Sequence, residues 1–147
     1  MFEKYKKDFD EWNKIKKEVD KKSIDRNFYF HTREIWWGSL GLNIGAEADG
    51  KNDLFERPLL ILKVFNREMI WCLPISSTVK DLPFYYKIKF NDEYRSVLVT
   101  QIRTISSKRL LRKIQKINDD DFYEIVDRVI GFLKSETPAN SGGISEP

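Results

Sequence analysis

The chain has 147 residues, 41% of them hydrophobic and 33% charged, which fits one domain with a core and excludes a second core of similar size. The net charge is only +3, but residues 80–116 carry ten Lys and Arg against three acids, and residues 117–147 are acidic. This uneven distribution of charge suits a polyanionic partner, or the charged side chains merely solvate the surface. The chain has a single cysteine, Cys72, which excludes an internal disulfide, and a single histidine, His31, which excludes the usual Cys/His zinc cluster. No apolar run approaches the ~20 residues of a membrane span, so we expect a cytoplasmic protein.

An amphipathic helix is predicted over residues 2–22, within an N-terminal segment of residues 1–25. Apolar side chains recur there at spacings of three and four among Lys, Asp and Glu; they are Phe2, Tyr5, Phe9, Trp12, Ile15 and Val19. One face of this helix therefore has to be buried. Three partners are open for that face: its own domain, a second copy of the chain, or the groove that holds the active site.

Short apolar runs bounded by turn residues follow, and each is typical of a β-strand. The predicted strands are Glu34–Leu40, Pro58–Phe65, Met69–Pro74, Phe84–Phe90 and Ser96–Ile102. Residues 65–69 are short enough for a hairpin connection, whereas residues 41–56 form a long loop with glycine and charged residues. Loops of that length are usually functional or disordered, and both options stay open.

The C-terminal part predicts a helical turn, a strand and a longer helix. Ser106 and Ser107 can cap one turn, and Arg112–Ile117 resembles a last strand. Asn118 stands before three aspartates, which signals the start of a helix that runs to about Lys134. Its predicted apolar face consists of Phe122, Ile125, Val126, Val129, Ile130 and Leu133.

These elements predict a mainly β fold with helices, in the α+β class, over residues 26–134. A small barrel is favoured because closure removes exposed strand edges, and a doubly wound α/β fold is disfavoured because no helices separate the strands. Residues 135–147 are rich in Gly, Pro and Ser, so we expect a disordered tail.

Four segments of the chain resemble the MazF/PemK family, in that family's own order. They are residues 33–37 (REIWW), residues 45–47 (GAE) leading to residues 57–62 (RPLLIL), residues 73–77 (LPISS) and residues 97–105 (VLVTQIRTI). Their conjunction over roughly residues 33–133 is specific, although no single motif is. The resemblance implies an SH3-like barrel that forms a homodimer and serves as the toxin of a type II toxin–antitoxin pair.

Arg57 matches the family's catalytic arginine before proline, and Ser76 stands where the family generally has threonine. The fixed φ of Pro58 stiffens the strand entry and aims the side chain before it. A guanidinium can stabilise the charge that develops when a ribose 2′-hydroxyl attacks the adjacent phosphate, and a hydroxyl can hydrogen-bond a phosphate oxygen. Taken without the other motifs, Arg57 would more often form a surface ion pair with Glu56 or Glu47 than serve in catalysis.

Further candidates are expected to bind the substrate or to support the site. They are Glu47, Ser77, Thr78, Lys80 and Gln101. Glu47 matches the acidic residue of the family's loop and would order it, although Ala48 replaces the glutamine that usually follows. Gln101 matches the family's final signature, where structural support is also expected. Lys80 begins the basic stretch that would steer RNA toward the site.

Other residues that suggest chemistry are assigned to structure. Adjacent strand residues face opposite ways, so one of Trp36 and Trp37 is predicted in the core and the other exposed or at an interface. Cys72 is predicted to be a buried small hydrophobe, and His31 is predicted to be incidental.

The resemblance implies a sequence-selective endoribonuclease that cleaves single-stranded RNA without a metal or other cofactor and leaves a 2′,3′-cyclic phosphate and a 5′-hydroxyl. Its implied partners are RNA, a second copy of the chain and a cognate antitoxin, with operator DNA bound through that antitoxin as an open option. A non-catalytic SH3-like module that binds nucleic acid or protein is the alternative, because a fold does not fix a function.

Overall fold

The protein consists of a curled antiparallel sheet and two helices, one toward each end of the chain. The structure is a computed structural model that describes residues 6–135. The helices are α1 (Phe9–Asp20) and α2 (Asp119–Lys134). The strands are β1 (Glu34–Ser39), β2 (Glu56–Val64), β3 (Met69–Ser76), β4 (Tyr85–Phe90), β5 (Glu93–Leu98), β6 (Arg103–Ser106) and β7 (Leu110–Lys116). A 3-10 turn, Ser107–Arg109, precedes β7 where a capped turn was predicted. Across residues 6–135, no helix is both long enough and apolar enough to span a bilayer.

The strand order is β4-β5-β3-β2-β1-β7, and all pairs are antiparallel. Strand β3 has three neighbours, because its first half pairs with β6 and its end pairs with β5 at Ile75 and Ser76, while β2 lies along its other side. The sheet curls into a half-barrel, in which β4 and β7 are not paired with each other within the described residues. This architecture confirms the predicted mainly β class with helices.

Both faces of the central strands are buried, which explains continuous apolar runs such as Leu59-Leu60-Ile61. Neighbouring strand residues point to opposite faces, so Leu60 joins the core under α2, whereas Leu59 and Ile61 join a second core with Trp36. Trp36 is buried in the core, as predicted for one tryptophan of β1, whereas Trp37, predicted to be exposed or at an interface, is half-buried. Cys72 is buried in the second core, also as predicted.

Helix α2 begins and ends where its signals predict. The Asn118 side chain accepts a hydrogen bond from the backbone nitrogen of Asp121, and three aspartates occupy the first turn, where the helix dipole favours negative charge. The buried stripe consists of Phe122, Ile125 and Val129. The predicted apolar face was too wide, since Ile130 and Leu133 are exposed.

The predicted strand Ser96–Ile102 is wrong in its second half. Strand β5 ends at Leu98, and a turn closed by a hydrogen bond from Gln101 N to Leu98 O separates it from β6. The register gives the reason: Val97 pairs with Ile75 and Arg103 pairs with Cys72, so six residue steps of this segment face only three of β3, and the extra residues turn out of the ladder. Strand β5 also begins earlier than predicted, since Asn91 and Asp92 adopt positive φ angles of 48° and 65° in a two-residue hairpin turn. Strand β7 likewise begins two residues earlier than predicted.

Helix α1 lies within the predicted amphipathic segment, although residues 1–5 lie outside the described residues. The Asp8 side chain caps it by accepting from Glu11 N at 3.0 Å, and Trp12 is its buried residue. The Trp12 ring lies 5.6 Å, centroid to centroid, from the ring of Phe55. Of the three open partners, α1 therefore packs on its own chain. Of the predicted tail, only Ser135 is described.

Truncation of Ile125 tests the packing of α2 on the sheet. Its side chain is 0% exposed in the core, so Ile125→Ala should lower the free energy of unfolding by about 2–5 kcal/mol. On the same helix Ile130 is 41% exposed, and Ile130→Ala should cost less than about 1 kcal/mol. Chemical denaturation measures both variants, and equal losses would contradict this packing.

Candidate functional site

Arg57 is the second residue of β2, where loop 41–56 enters the sheet. Its Nε donates to the backbone oxygen of Asp49, and its Nη1 donates to the backbone oxygen of Ile75 at 3.0 Å. One anchor belongs to the loop and the other to the end of β3, so the guanidinium is held in a fixed orientation. Within residues 6–135, Nη2 makes no hydrogen bond, so this end of the guanidinium can donate hydrogen bonds to an anion.

The charge of Arg57 is partly withdrawn from water. Burial lowers the pKa of the Arg57 guanidinium below its ordinary value, and the neighbouring Asp49 carboxylate partly counteracts this by raising it. The group still carries its charge at neutral pH, because an arginine is not deprotonated under ordinary conditions. A desolvated cation interacts more strongly with an approaching anion than one fully solvated by water.

The surface ion pair that the sequence left open for Arg57 is not formed. Glu56 instead pairs with Arg112 through two hydrogen bonds of 3.0 Å. The Glu47 carboxylate accepts from the backbone nitrogen of Ile44 at 2.9 Å. Both acids that could have neutralised Arg57 therefore bind elsewhere.

A groove of about 210 Å³ lies at Arg57, and it is called the Arg57 groove below. It is lined by Trp37, Lys51, Asn52, Glu56, Arg57, Pro58, Ile75, Ser76, Ser77, Phe90 and Arg95. Five strands and loop 41–56 contribute these residues. Of the predicted site residues, the structure brings together Arg57, Ser76 and Ser77.

Ser76 is the last residue of β3, where the backbone pairs with Ser96 of β5. Its Oγ accepts a hydrogen bond from Thr78 N at 3.1 Å, so the hydroxyl proton stays available to donate. Thr78 and Lys80 are exposed and do not line the Arg57 groove. The Lys80 ammonium instead lies 5.6 Å from the centroid of the Tyr85 ring.

Glu47 and Gln101 line a different groove, of about 480 Å³, and the structure does not bring them into the Arg57 groove. The Gln101 Oε1 accepts from Ala48 N at 2.6 Å, and its Nε2 donates to Ala46 O at 3.0 Å. This side chain therefore fixes the middle of loop 41–56. The geometry fits the supporting role expected for Gln101.

Sequence reasoning did not single out Lys51, Asn52, Phe90 and Arg95, which also line the Arg57 groove. Arg95 places a second guanidinium there, 5.7 Å from the centroid of the Phe90 ring, and its Nη2 donates to Glu93 at 2.9 Å. Its Nε is buried, and no group in the described residues accepts a hydrogen bond from it. No local signal in the sequence could have found Arg95, because only the pairing of β5 with the end of β3 brings it to the groove.

Acidic, histidine and cysteine side chains are the protein groups that most often bind a metal ion. Residues 6–135 contain no group of three or more of them arranged to hold a metal ion. His31 is exposed and lies outside the Arg57 groove, with its Nδ1 3.4 Å from Glu34 Oε2.

The chain is similar to a known protein family and to several solved structures. A family model described as PemK-like, MazF-like toxin of type II toxin–antitoxin system matches residues 31–133. The crystal structure of MazF (Form-I) from Deinococcus radiodurans is similar with a TM-score of 0.64 at 18% identity, over 74% of this chain and 100% of that one. The Mycobacterium tuberculosis toxin MazF-mt6 gives 0.54 at 17% identity, over 71% and 100%. No curated protein matches the chain.

A third similar structure is an endoribonuclease in complex with its cognate antitoxin from a Mycobacterial species, with a TM-score of 0.55 at 14% identity, over 75% of this chain and 100% of that one. These structural likenesses concern the fold. The family model covers most of the chain and includes every strand and nearly all of α2, but not α1. The resemblance carried by the four segments is thereby confirmed, and the chain belongs to the family of PemK-like, MazF-like toxins of type II toxin–antitoxin systems.

Proposed function

We propose that this toxin is an endoribonuclease that cleaves single-stranded RNA in the Arg57 groove. The observation that carries the proposal is the meeting of a desolvated guanidinium and a hydroxyl, Arg57 and Ser76, at one groove. The Nη2 end of Arg57 is unengaged within the described residues, and Ser76 has a proton to donate. Such a pair can hold two oxygens of one phosphate.

The reaction that suits this pair is transfer of the phosphate to the neighbouring ribose hydroxyl. The 2′-oxygen loses its proton to water and bonds to phosphorus, while the bond from phosphorus to the 5′-oxygen breaks and that oxygen takes a proton from water. The products are a 2′,3′-cyclic phosphate and a 5′-hydroxyl. Arg57 would stabilise the charge on the phosphorane, because its partly desolvated guanidinium keeps its positive charge in the groove.

The walls of the groove support a preference for unpaired RNA. Trp37 and Phe90 offer aromatic surface, and a base can stack there only when it has left a duplex. Lys51 and Asn52 bring polar groups of loop 41–56 to the same groove. We assign sequence selectivity to these loop groups, which Glu47 and Gln101 support from the other side of the loop.

The same proposal extends to the partners. The Mycobacterial endoribonuclease is in complex with its cognate antitoxin, and we propose a cognate antitoxin for this chain as well. An acidic or amphipathic segment would suit the two guanidinium groups of the Arg57 groove. We further propose that the toxin works as a cytoplasmic homodimer, the state that family membership implies.

Replacement of Arg57 tests the catalytic assignment. The rate of cleavage of an unstructured RNA in EDTA should fall at least about 100-fold in Arg57→Ala, because the charge on the phosphorane loses its stabilising cation. Arg57→Lys should be intermediate, since an ammonium keeps the charge but carries all its donors on one nitrogen and cannot reproduce anchors made by Nε and Nη1. Lys134→Ala, which removes an exposed positive charge from the end of α2, is the control.

Analysis of the product ends completes this test. We expect cyclic phosphates and 5′-hydroxyl ends in the presence of EDTA. Wild-type protein that binds RNA without cutting it would favour the non-catalytic module. An Arg57→Ala protein as fast as wild type would refute the assignment of the groove.

Replacement of Arg95 tests the second cation of the groove. Arg95→Ala should weaken the binding of a 2′-O-methyl RNA, which cannot be cleaved, by about tenfold and lower the slope of log K against log salt by about 0.7. The control is Lys134→Ala, which removes an exposed charge outside the basic stretch of residues 80–116. Equal affinity of both variants and the wild type, measured by fluorescence anisotropy, would exclude Arg95 from RNA binding.

A further inference from the structure

The N-terminal segment of residues 7–20, called the N-terminal brace below, packs on loop 41–56 and contributes no residue to the Arg57 groove. Trp12 is 7% exposed. Gly41 has a φ of +82°, and a Cβ added there would lie 2.2 Å from the Trp12 ring, so only glycine allows this contact. Phe55 touches the same ring, and Gly41 N donates to Phe55 O at 3.0 Å. Trp12 therefore packs against both ends of the loop, Gly41 and Phe55.

Lys7 binds the middle of the same loop. Its Nζ donates to Asn43 O at 2.6 Å and lies 2.9 Å from Asp49 Oδ2. The side chains of Lys7 and Asp49 are only 20% and 18% exposed, so this ion pair is screened by water less than an exposed pair would be. The other carboxylate oxygen of Asp49 accepts from Asn43 N. Lys7 thus ties together two points of the loop.

Asp49 connects the brace to the active site. Its carboxylate holds Lys7, and its backbone oxygen accepts the hydrogen bond from Arg57 Nε. The second anchor of Arg57, the backbone oxygen of Ile75, lies in a strand that is hydrogen-bonded on both sides. Asp49 lies in a long loop, and loops are the less stable parts of a fold. The loop anchor therefore depends on whatever fixes the loop.

We infer that the N-terminal brace positions the catalytic guanidinium, with Lys7 and Trp12 as positioning residues that never touch RNA. The inference rests on the proposed function of Arg57. The brace lies outside residues 31–133, which the family model matches. It acts on catalysis more than on binding, because a misaligned guanidinium loses transition-state contacts while the groove keeps its walls.

Hydrogen exchange in the full-length protein tests the physical part of the inference without any reference to activity. Lys7→Ala should speed amide exchange across loop 41–56, at Asn43 and Gly50 above all, because Lys7 no longer holds Asn43 O and Asp49. The control Lys16→Ala removes the same charge from an exposed position of α1 and should leave the loop unchanged. Unchanged loop exchange in Lys7→Ala would overturn the inference.

Steady-state kinetics test the catalytic part with the same variants. We expect kcat of Lys7→Ala to fall about 10- to 100-fold with KM changed less than about threefold, and Lys7→Arg to restore most of kcat. Asp49→Asn should also lower kcat, and the double variant should lose less than the two single losses combined, because the ion pair that they share can be broken only once. Circular dichroism and thermal melting establish that each variant is folded, and Lys7→Ala is preferred to Trp12→Ala for that reason.

Two outcomes overturn the inference even if loop exchange rises. One is an unchanged kcat, which would show that loop order does not reach Arg57. The other is a raised kcat, which would make the brace a restraint on the enzyme. Failure of the proposed function looks different: the wild type would then cleave no RNA, and the exchange experiment would still decide whether the brace fixes the loop.

Discussion

The site depends on two hydrogen bonds that the Arg57 guanidinium donates to backbone oxygens. Ile75 O belongs to the paired end of β3, and Asp49 O belongs to loop 41–56. With two of its nitrogens used in this way, the guanidinium can turn only its remaining end toward the groove. A partly desolvated cation is thereby kept in one orientation, and electrostatic stabilisation of a phosphorane requires that kind of preorganisation.

The half-barrel supplies Ile75 O and most of the groove walls, and loop 41–56 supplies Asp49 O. Strand β3 pairs with three other strands, so its end can carry Ile75 and Ser76 to the edge of the groove. The β4–β5 hairpin adds Phe90 and Arg95 from one side, and β1 adds Trp37 from the other. The loop that provides Asp49 is fixed by Gln101 on one side and by the N-terminal brace on the other. Under the proposed function, the contacts that hold this loop would also position Arg57.

Local signals in the sequence predicted much of this arrangement. The Asn118 cap, the apolar strand runs and the order of the four family segments lead to α2, to the mainly β fold and to Arg57 and Ser76, and these two residues do line one groove. What depends on long-range pairing could not be predicted. The apolar run within residues 96–102 was predicted as one strand, and only the register on β3 reveals the extra residues that turn out of the ladder there. Arg95 was one basic residue among many until the register placed it beside Ser76.

The central claim is that Arg57 and Ser76 grip the scissile phosphate together. A crystal structure of the toxin with a bound 2′-O-methyl RNA that spans the cleavage site tests it most directly. The account predicts one phosphate in the Arg57 groove, with one oxygen within hydrogen-bond distance of Arg57 Nη2 and another within reach of Ser76 Oγ. An RNA whose scissile phosphate lies in any other groove, with Arg57 facing a sugar or solvent, would contradict the account.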